Sequence, residues 1–207
     1  QPTVIAEVRG SELPDEIVLA GCHLDSWDVG TGAHDDGAGC AIVVGAARML
    51  LDESRRPRRS VRVVLFASEE YGAHAGKAYL EAHRDELHLH AAALESDSGC
   101  FAPAGFSVKG PAAAIGRVAE LAAPLGALGA SEVRAGGAGV DIGPIVEAGV
   151  PGIGHRVHGD RYFDYHHSPA DTLDKVDPDH LAANVAAVAG LLWGLANDDE
   201  MPVRSAE

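Results

Sequence analysis

Carboxylate and imidazole side chains accumulate in four short segments of the 207-residue sequence. A single segment of this kind has an ordinary explanation as a helix-start acid, a solvated acidic pair or a structural histidine. Together the segments supply oxygen and nitrogen donors without thiolates, the donor set of catalytic zinc sites that keep positions open for water and substrate. The segments are HLDSWDVGTGAHDD (23–36), SEE (68–70), ESDSG (95–99) and HHSPAD (166–171).

These donors are too many for one four-coordinate zinc ion. Two ions about 3.5–4 Å apart and bridged by a carboxylate would use them. The adjacent acids Glu69 and Glu70 favour the same interpretation. Neighbouring carboxylates at the end of a buried strand are unfavourable unless a cation or a proton stabilises them. The sequence therefore predicts a two-metal site.

Strand-like and helix-like segments alternate along the chain, which predicts a three-layer α/β/α fold with a mostly parallel or mixed central sheet. In such sheets functional residues lie in loops at the carboxyl ends of the strands, where all four acidic segments are expected. The predicted strands lie at 3–8, 17–24, 61–67, 90–95 and 150–157, and the predicted helices at 37–53, 72–87, 112–129, 141–149 and 177–198. The last helix should begin with Asp177 as N-cap and Pro178 in the first position.

Length and composition limit the class of protein. A chain of this length suits one domain spanning residues 1–207. The formal net charge of −15 argues against a nucleic-acid partner, which requires a basic face. No run of about 18 apolar residues is found, so no membrane span is expected. Cys22, Cys40 and Cys100 have no CxxC spacing. The apolar surroundings of Cys22 and Cys40 predict small core residues, and a Cys22–Cys40 or other disulfide stays open.

The ordered motifs HLDS, GAHDDGAG, SEE, ESDSG and HHSPADT resemble the co-catalytic di-zinc exopeptidases of the bacterial aminopeptidase type. ESDSG and RYFDYHHSPADTLDKVDP are most similar to the branch of plasma glutamate carboxypeptidase, or carboxypeptidase Q. The resemblance runs through nearly the whole chain and implies the zinc-exopeptidase (phosphorylase/hydrolase-like) fold. It also implies that the N-terminal part of the catalytic domain and an inserted protease-associated domain are missing, which leaves the activity of this chain alone open.

The resemblance assigns roles to individual residues. One zinc ion would be bound by His23 and Asp97, the other by Glu70 and His167, and Asp35 would bridge the two. The expected supporting residues are Asp25, which orients His23; Glu69, the general base; His166, the donor to the oxyanion, with Tyr162 or Tyr165 as substitutes; and Asp171, which supports the histidine loop. We expect Asp36 to be a helix-start acid, and Asp28 and His34 to be loop residues without a metal role.

The implied activity is zinc-dependent hydrolysis of peptide bonds at a free terminus, by a hydroxide that bridges two zinc ions. Peptides or dipeptides would be the substrates, a homodimer is open, and a secreted or periplasmic location is expected. Asp141 has two interpretations, a helix N-cap or a group that holds a free amino terminus.

Two other functions remain. A single-zinc acyltransferase of the glutaminyl cyclase type shares the fold, but the complete ligand set disfavours it. A catalytically silent scaffold module of the same fold is disfavoured for the same reason. Preference between aminopeptidase and dipeptidase or carboxypeptidase substrates, side-chain specificity and the physiological metal are left open.

Overall fold

The computed structural model describes residues 2–51 and 55–200, which form a seven-stranded mixed sheet with the spatial order β1-β3-β2-β4-β7-β5-β6. β2 is parallel to both β3 and β4, and β4 is parallel to β7, whereas β1 and β5 run antiparallel to β3 and β7. The strands are β1 (Val4–Val8), β2 (Leu13–His23), β3 (Arg59–Phe66), β4 (His90–Glu95), β5 (Pro103–Lys109), β6 (Val133–Ala135) and β7 (Gly152–Val157).

Within the described residues five α-helices accompany the sheet, and several are shorter than the sequence predicts. The prediction for 112–129 is wrong beyond Ala122, because Pro124 cannot continue an α-helix; the chain turns to 3₁₀ geometry and ends at Gly129 with φ +76°. The prediction for 37–53 extends into residues 52 and 53, outside the described part of the chain. The helices are α1 (Ala38–Met49), α2 (His74–Ala82), α3 (Ala112–Ala122), α4 (Gly143–Glu147) and α5 (Pro178–Asn197).

The two faces of the central strand β2 build two separate cores. Cys22 and its neighbours at alternate positions pack with α1 and α5 on one face. Leu19 points to the opposite face and packs with residues of α2 and α4. Because side chains of a strand alternate between faces, a continuous apolar run is the pattern of a strand covered on both sides. The predicted three-layer α/β/α architecture is confirmed.

α5 begins as the sequence predicts. The Asp177 side chain accepts hydrogen bonds from the amides of Asp179 and His180, and Pro178 is the first helical residue. Among the described residues this helix is the one long and apolar enough, by length and composition, to cross a membrane. Its apolar residues Leu191, Leu192 and Leu195 are fully buried in the core beside α1, which accounts for its composition.

The close approach of α1 to the end of β4 depends on Gly39. A Cβ atom added there would lie 2.1 Å from the main-chain oxygen of Ser96 and 2.2 Å from Asp36 Oδ1. Neither atom can move easily, because one belongs to the backbone and the other to a fully buried carboxylate. Gly39 therefore sets the distance between α1 and the loop that follows β4.

We expect Gly39→Ala to lower the free energy of unfolding by about 2–4 kcal/mol, as overpacking against rigid neighbours does. Gly116→Ala is the matched control, because a Cβ at that position of α3 meets no atom within 4 Å. The control should stabilise the protein by about 0.5–1 kcal/mol through the better helix propensity of alanine. Urea unfolding of both variants gives the comparison; equal effects would contradict the packing argument.

Candidate metal centre

His23, the last residue of β2, is the centre of a first donor cluster. Its ring is buried, and its Nε2 atom lies 3.2 Å from Asp35 Oδ1 and 3.5 Å from Asp97 Oδ1. One donor atom from each of the three side chains lies within 4.8 Å of the others. Since β2 and β4 are parallel neighbours, and Asp97 follows β4, the sheet itself brings His23 and Asp97 together.

A second cluster lies on the other side of Asp35. His167 Nε2 is 2.8 Å from Glu70 Oε2 and 3.2 Å from Asp35 Oδ2. His166 Nε2 is 3.5 Å from Asp35 Oδ2, and the His166 ring stacks on that of His167 with 3.6 Å between the ring centroids. Each carboxylate oxygen of Asp35 therefore faces a different cluster.

The chemistry of these donors fits metal ions. Asp35 Oδ2 and Glu70 Oε1 are buried and make no hydrogen bond within residues 2–51 and 55–200. Buried carboxylate oxygens of this kind are unfavourable unless a cation or a proton compensates them. All five side chains predicted as ligands lie in the two clusters: His23, Asp35, Glu70, Asp97 and His167.

The electrostatics of the site favour positive charge. Burial alone lowers the pKa of His23, but hydrogen bonds to Asp35 and Asp97 outweigh it and raise the pKa to about 12. Burial and the negative charge of Asp35 raise the pKa of Glu70 to about 7. Groups that hold protons this firmly release them when a metal ion binds, so metal affinity should increase with pH.

Asp25 holds the loop that carries the two glutamates. Its Oδ1 and Oδ2 atoms accept hydrogen bonds from the amides of Glu69 (3.0 Å) and Glu70 (3.2 Å). His23 Nδ1 is 3.0 Å from the main-chain oxygen of Asp25 and 3.8 Å from Oδ1, which is beyond hydrogen-bonding distance. Asp25 thus faces His23 through its carbonyl and the glutamate loop through its carboxylate.

Asp171 connects two loops that are distant in sequence. Its carboxylate accepts hydrogen bonds from the amides of His34 (2.7 Å) and Asp35 (3.1 Å), and its main-chain oxygen accepts from Thr31. The sequence predicts that Asp171 supports the loop of His167. The structure shows it hydrogen-bonded to the loop of Asp35, so it fixes Asp35 relative to the histidine loop.

Glu69 is half-buried beside both clusters. Burial, together with the charges of Asp97, Glu70 and Asp35, raises the pKa of its carboxyl group. A carboxyl group with a raised pKa is suited to accept and return a proton near neutral pH. The bond from its own amide to Asp25 fixes its main chain at the site.

The three side chains predicted as oxyanion donors are placed differently. His166 lies beside Asp35, as described above. Tyr162 is also at the site, since its ring packs on that of His166 with 5.0 Å between the centroids. Burial and the nearby charges of Asp35 and Asp97 raise the pKa of its phenol. Tyr165 lies elsewhere: its ring is buried and stacks on His34 with 5.1 Å between centroids.

The prediction of Asp141 as a helix N-cap is wrong. The N-cap of α4 is Ile142, and no side chain caps that helix. The Asp141 side chain is 1% exposed, and neither of its oxygens has a hydrogen-bond partner in the described part of the chain. Glu95 fixes this loop, because its carboxylate accepts hydrogen bonds from the amides of Val140 and Ile142, both at 2.8 Å.

Replacing Asp141 by asparagine should change the pH dependence of stability. Burial and the charge of Glu95 raise the pKa of Asp141 from 3.8 to about 8. The folded, metal-free protein therefore keeps a proton that the unfolded chain has released, so wild-type stability falls as the pH rises from about 4 to about 8. We expect the free energy of unfolding of Asp141→Asn, relative to that of wild type, to increase by about 1–3 kcal/mol between the two ends of this pH interval.

The measurement is urea unfolding of both proteins with a chelator at about pH 5 and about pH 8.5. A stability difference that does not change with pH would contradict the prediction. Glu147→Gln, which alters an exposed carboxyl group of α4, should leave the pH dependence as in wild type.

Three buried polar residues near the centre have contacts that the sequence does not predict. Asp36 accepts hydrogen bonds from the amides of His23 (3.2 Å) and Gly39 (3.0 Å), so the expected helix-start acid also holds the end of β2. His34 is fully buried, and its ring stacks with those of Phe101 and Tyr165. Glu95 is the third of these residues, and it accepts hydrogen bonds from the loop of Asp141. Asp28, predicted as a loop residue without a metal role, is exposed.

A cavity of about 200 Å³ opens beside Asp97. Its lining includes Ser98, the glycine-rich loop around Gly139, and Arg156, whose guanidinium pairs with Glu132. Trp27 packs on the ring of His167 with 5.0 Å between the centroids. The cavity therefore borders the first donor cluster, and Trp27 borders the second.

Comparison with known proteins gives a consistent result. A model of peptidase family M28 matches residues 3–192. Carboxypeptidase Q of Mus musculus is 38% identical over 201 residues, and that of Homo sapiens is 36% identical; each match covers 97% of this chain and 43% of the relative. The chain thus spans less than half the length of these curated relatives.

Solved structures agree with this match. The crystal structure of a peptidase M28 precursor from Shewanella amazonensis superposes with a TM-score of 0.90 at 44% identity, covering 99% of this chain and 47% of the other. A zinc aminopeptidase from Bacillus subtilis has a TM-score of 0.78 at 19% identity, with 98% and 52% covered, and shares the fold. The resemblance read from the five motifs is confirmed, and the chain belongs to peptidase family M28.

Proposed function

We propose that the protein containing this chain is a zinc-dependent exopeptidase that hydrolyses the peptide bond next to a free terminus, as an aminopeptidase or a dipeptidase. The observation that carries the proposal is the position of Asp35, whose two oxygens face two separate donor clusters. Membership of peptidase family M28 and the similarity to carboxypeptidase Q support the same class of reaction.

His23 and Asp97 would hold one ion, Glu70 and His167 the other, and Asp35 both. When bound, two zinc ions supply a water of lowered pKa and a Lewis acid for the scissile carbonyl. Glu69 accepts the proton of the attacking water and returns it to the leaving amine. Asp25 keeps Glu69 in place by accepting a hydrogen bond from its main-chain amide.

His166 and Tyr162 are the two candidates to donate a hydrogen bond to the developing oxyanion. Preorganised donors of this kind contribute strongly to acyl-transfer reactions. The cavity beside Asp97 would take the side chain next to the scissile bond, and its size of about 200 Å³ limits that side chain. Trp27 borders the cluster that contains His167.

The catalytic domain, location and assembly are also part of the proposal. We propose that residues 1–207 form a single peptidase catalytic domain. A secreted or periplasmic location is supported by the description of the Shewanella protein as a precursor. Peptides or dipeptides are the proposed partners, and a homodimer is compatible with them.

The test combines elemental analysis with activity assays on free dipeptides and on amino-acid anilides, using the longer protein and this chain. Two zinc ions per chain and hydrolysis of either substrate class would support the proposal. One ion with cyclisation of N-terminal glutamine would favour the glutaminyl cyclase alternative. Two ions without turnover of any terminal peptide bond by the longer protein would favour the silent scaffold.

A further inference from the structure

Two cysteine thiols face each other between β2 and α1. Cys22 is the penultimate residue of β2 and is fully buried, whereas Cys40 lies in the first turn of α1 and is partly exposed. Their Sγ atoms are 3.1 Å apart. Because a disulfide bond measures about 2.05 Å, the two sulfurs need to approach by only about 1 Å.

The pair takes no part in the donor clusters. Side chains alternate along a strand, so Cys22 points away from its neighbour His23 and into the core under α1 and α5. Cys40 Sγ donates a hydrogen bond of 3.0 Å to the main-chain oxygen of His23. The thiols therefore lie against the backbone of a proposed ligand without facing the space where a metal ion would bind.

The structure around the pair already holds both sulfurs in position. The buried carboxylate of Asp36 accepts hydrogen bonds from the amide of His23, next to Cys22, and from the amide of Gly39, next to Cys40. The backbone at both cysteines is thus fixed by one shared acceptor. A bond between the sulfurs requires an approach of about 1 Å from their 3.1 Å separation, between two backbone segments that Asp36 already holds together.

We propose that Cys22 and Cys40 are an oxidation site that forms an intramolecular disulfide. The segment that this bond encloses carries His23 and Asp35, so it ties both proposed ligands to the sheet and to α1. A cross-link of this kind stabilises a protein mainly by restricting the unfolded chain. The proposal concerns the thiols alone and does not depend on the proposed peptidase activity.

The oxidant is a small-molecule disulfide such as oxidised glutathione. The partly exposed Cys40 sulfur attacks it, forming a mixed disulfide and releasing one glutathione thiol. The buried Cys22 sulfur then attacks Cys40 Sγ, and the second glutathione leaves as a thiol. The two protons of the cysteine thiols end on the two released glutathione molecules, so the protein loses two electrons and the oxidant gains them.

The first test counts thiols. The full chain is incubated with oxidised or reduced glutathione, denatured, alkylated and weighed by mass spectrometry. We expect one alkylated cysteine, Cys100, after oxidation and three after reduction. Digestion before aspartate cuts the segment between Cys22 and Cys40 at Asp25, Asp28, Asp35 and Asp36, so the bond should appear as a pair of linked peptides.

The second test measures stability. The oxidised protein should melt about 6–12 °C above the reduced protein. Cys100→Ser should keep this difference, whereas Cys40→Ser and Cys22→Ala should both lose it. Three alkylated cysteines after oxidation would overturn the proposal, as would a lasting glutathione adduct on Cys40 or links between chains instead of within one.

Discussion

Glu69→Gln is expected to lower kcat for peptide hydrolysis by roughly 10²–10⁴-fold, the usual contribution of a general base. Glutamine has nearly the same shape but cannot accept a proton from the attacking water. Because the amide of residue 69 still donates to Asp25, the neighbouring loop should keep its geometry. The zinc content should therefore stay at the wild-type value, which separates a lost base from a lost metal site.

The assay measures kcat and KM on a dipeptide, with zinc determined on the same sample. The pH dependence of kcat adds a second readout. In wild type kcat should increase with pH as Glu69 loses its proton, and this increase should be absent in the variant. Glu147→Gln is the control, because it changes an exposed glutamate on α4. Hydrolysis by Glu69→Gln at the wild-type rate would remove Glu69 from the mechanism.

Asp35→Ala is expected to remove both metal ions, whereas His167→Ala should remove one. The reason is geometric, since Asp35 Oδ1 faces the cluster of His23 and Asp35 Oδ2 faces that of His167. Loss of an orienting neighbour alone weakens metal binding 10–100-fold, so deletion of the shared ligand should weaken both sites by at least about 100-fold.

Metal content after dialysis against a weak chelator measures this difference. Asp97→Ala gives the complementary case, because it should remove the ion held by His23 and leave the one held by His167. Asp28→Ala, an exposed aspartate in the same segment as Asp35, should keep the wild-type metal content. Two retained ions in Asp35→Ala would show that the clusters do not share a ligand.

Much of the fold was predictable because its strands are continuous apolar runs and α5 has clear end signals. β5 (Pro103–Lys109) and β6 (Val133–Ala135) were not predicted. β5 contains Gly105 and begins with a proline, and β6 has only three residues, so neither has the apolar pattern of a strand. Their pairing with β7 and with each other supplies what their own sequences lack.

The donors were predictable for a related reason. Side chains that follow adjacent parallel strands must meet at one edge of the sheet, so the positions of His23, Glu70 and Asp97 in the sequence already imply their proximity. The histidine loop is different, because nothing local places His167 beside Asp35. Its assignment came from the resemblance to known peptidases, and the structure shows it 3.2 Å from Asp35 Oδ2.

The supporting contacts were not predictable, since they join residues far apart along the chain. Asp171 bonds to amides more than 130 positions away, and Glu95 bonds to amides 45 and 47 positions away. Asp141 looked like a helix cap from its local sequence, yet its carboxylate is buried and has no hydrogen-bond partner among residues 2–51 and 55–200. Hydrogen bonds of this type depend on the packed positions of several elements.

The sequence by itself determined which residue types reach the edge of the sheet and hence the chemistry of the centre, because the strand segments and the residues that follow them can be recognised from local pattern. Only the tertiary structure decided which contacts hold those residues. Asp25 accepts a hydrogen bond from the glutamate loop, and Asp171 accepts one from the loop of Asp35. The contact between Cys22 and Cys40 likewise depends on the packing of α1 on β2. The physical reason is that local pattern selects strands and helices, whereas contacts between distant side chains exist only after those elements have packed.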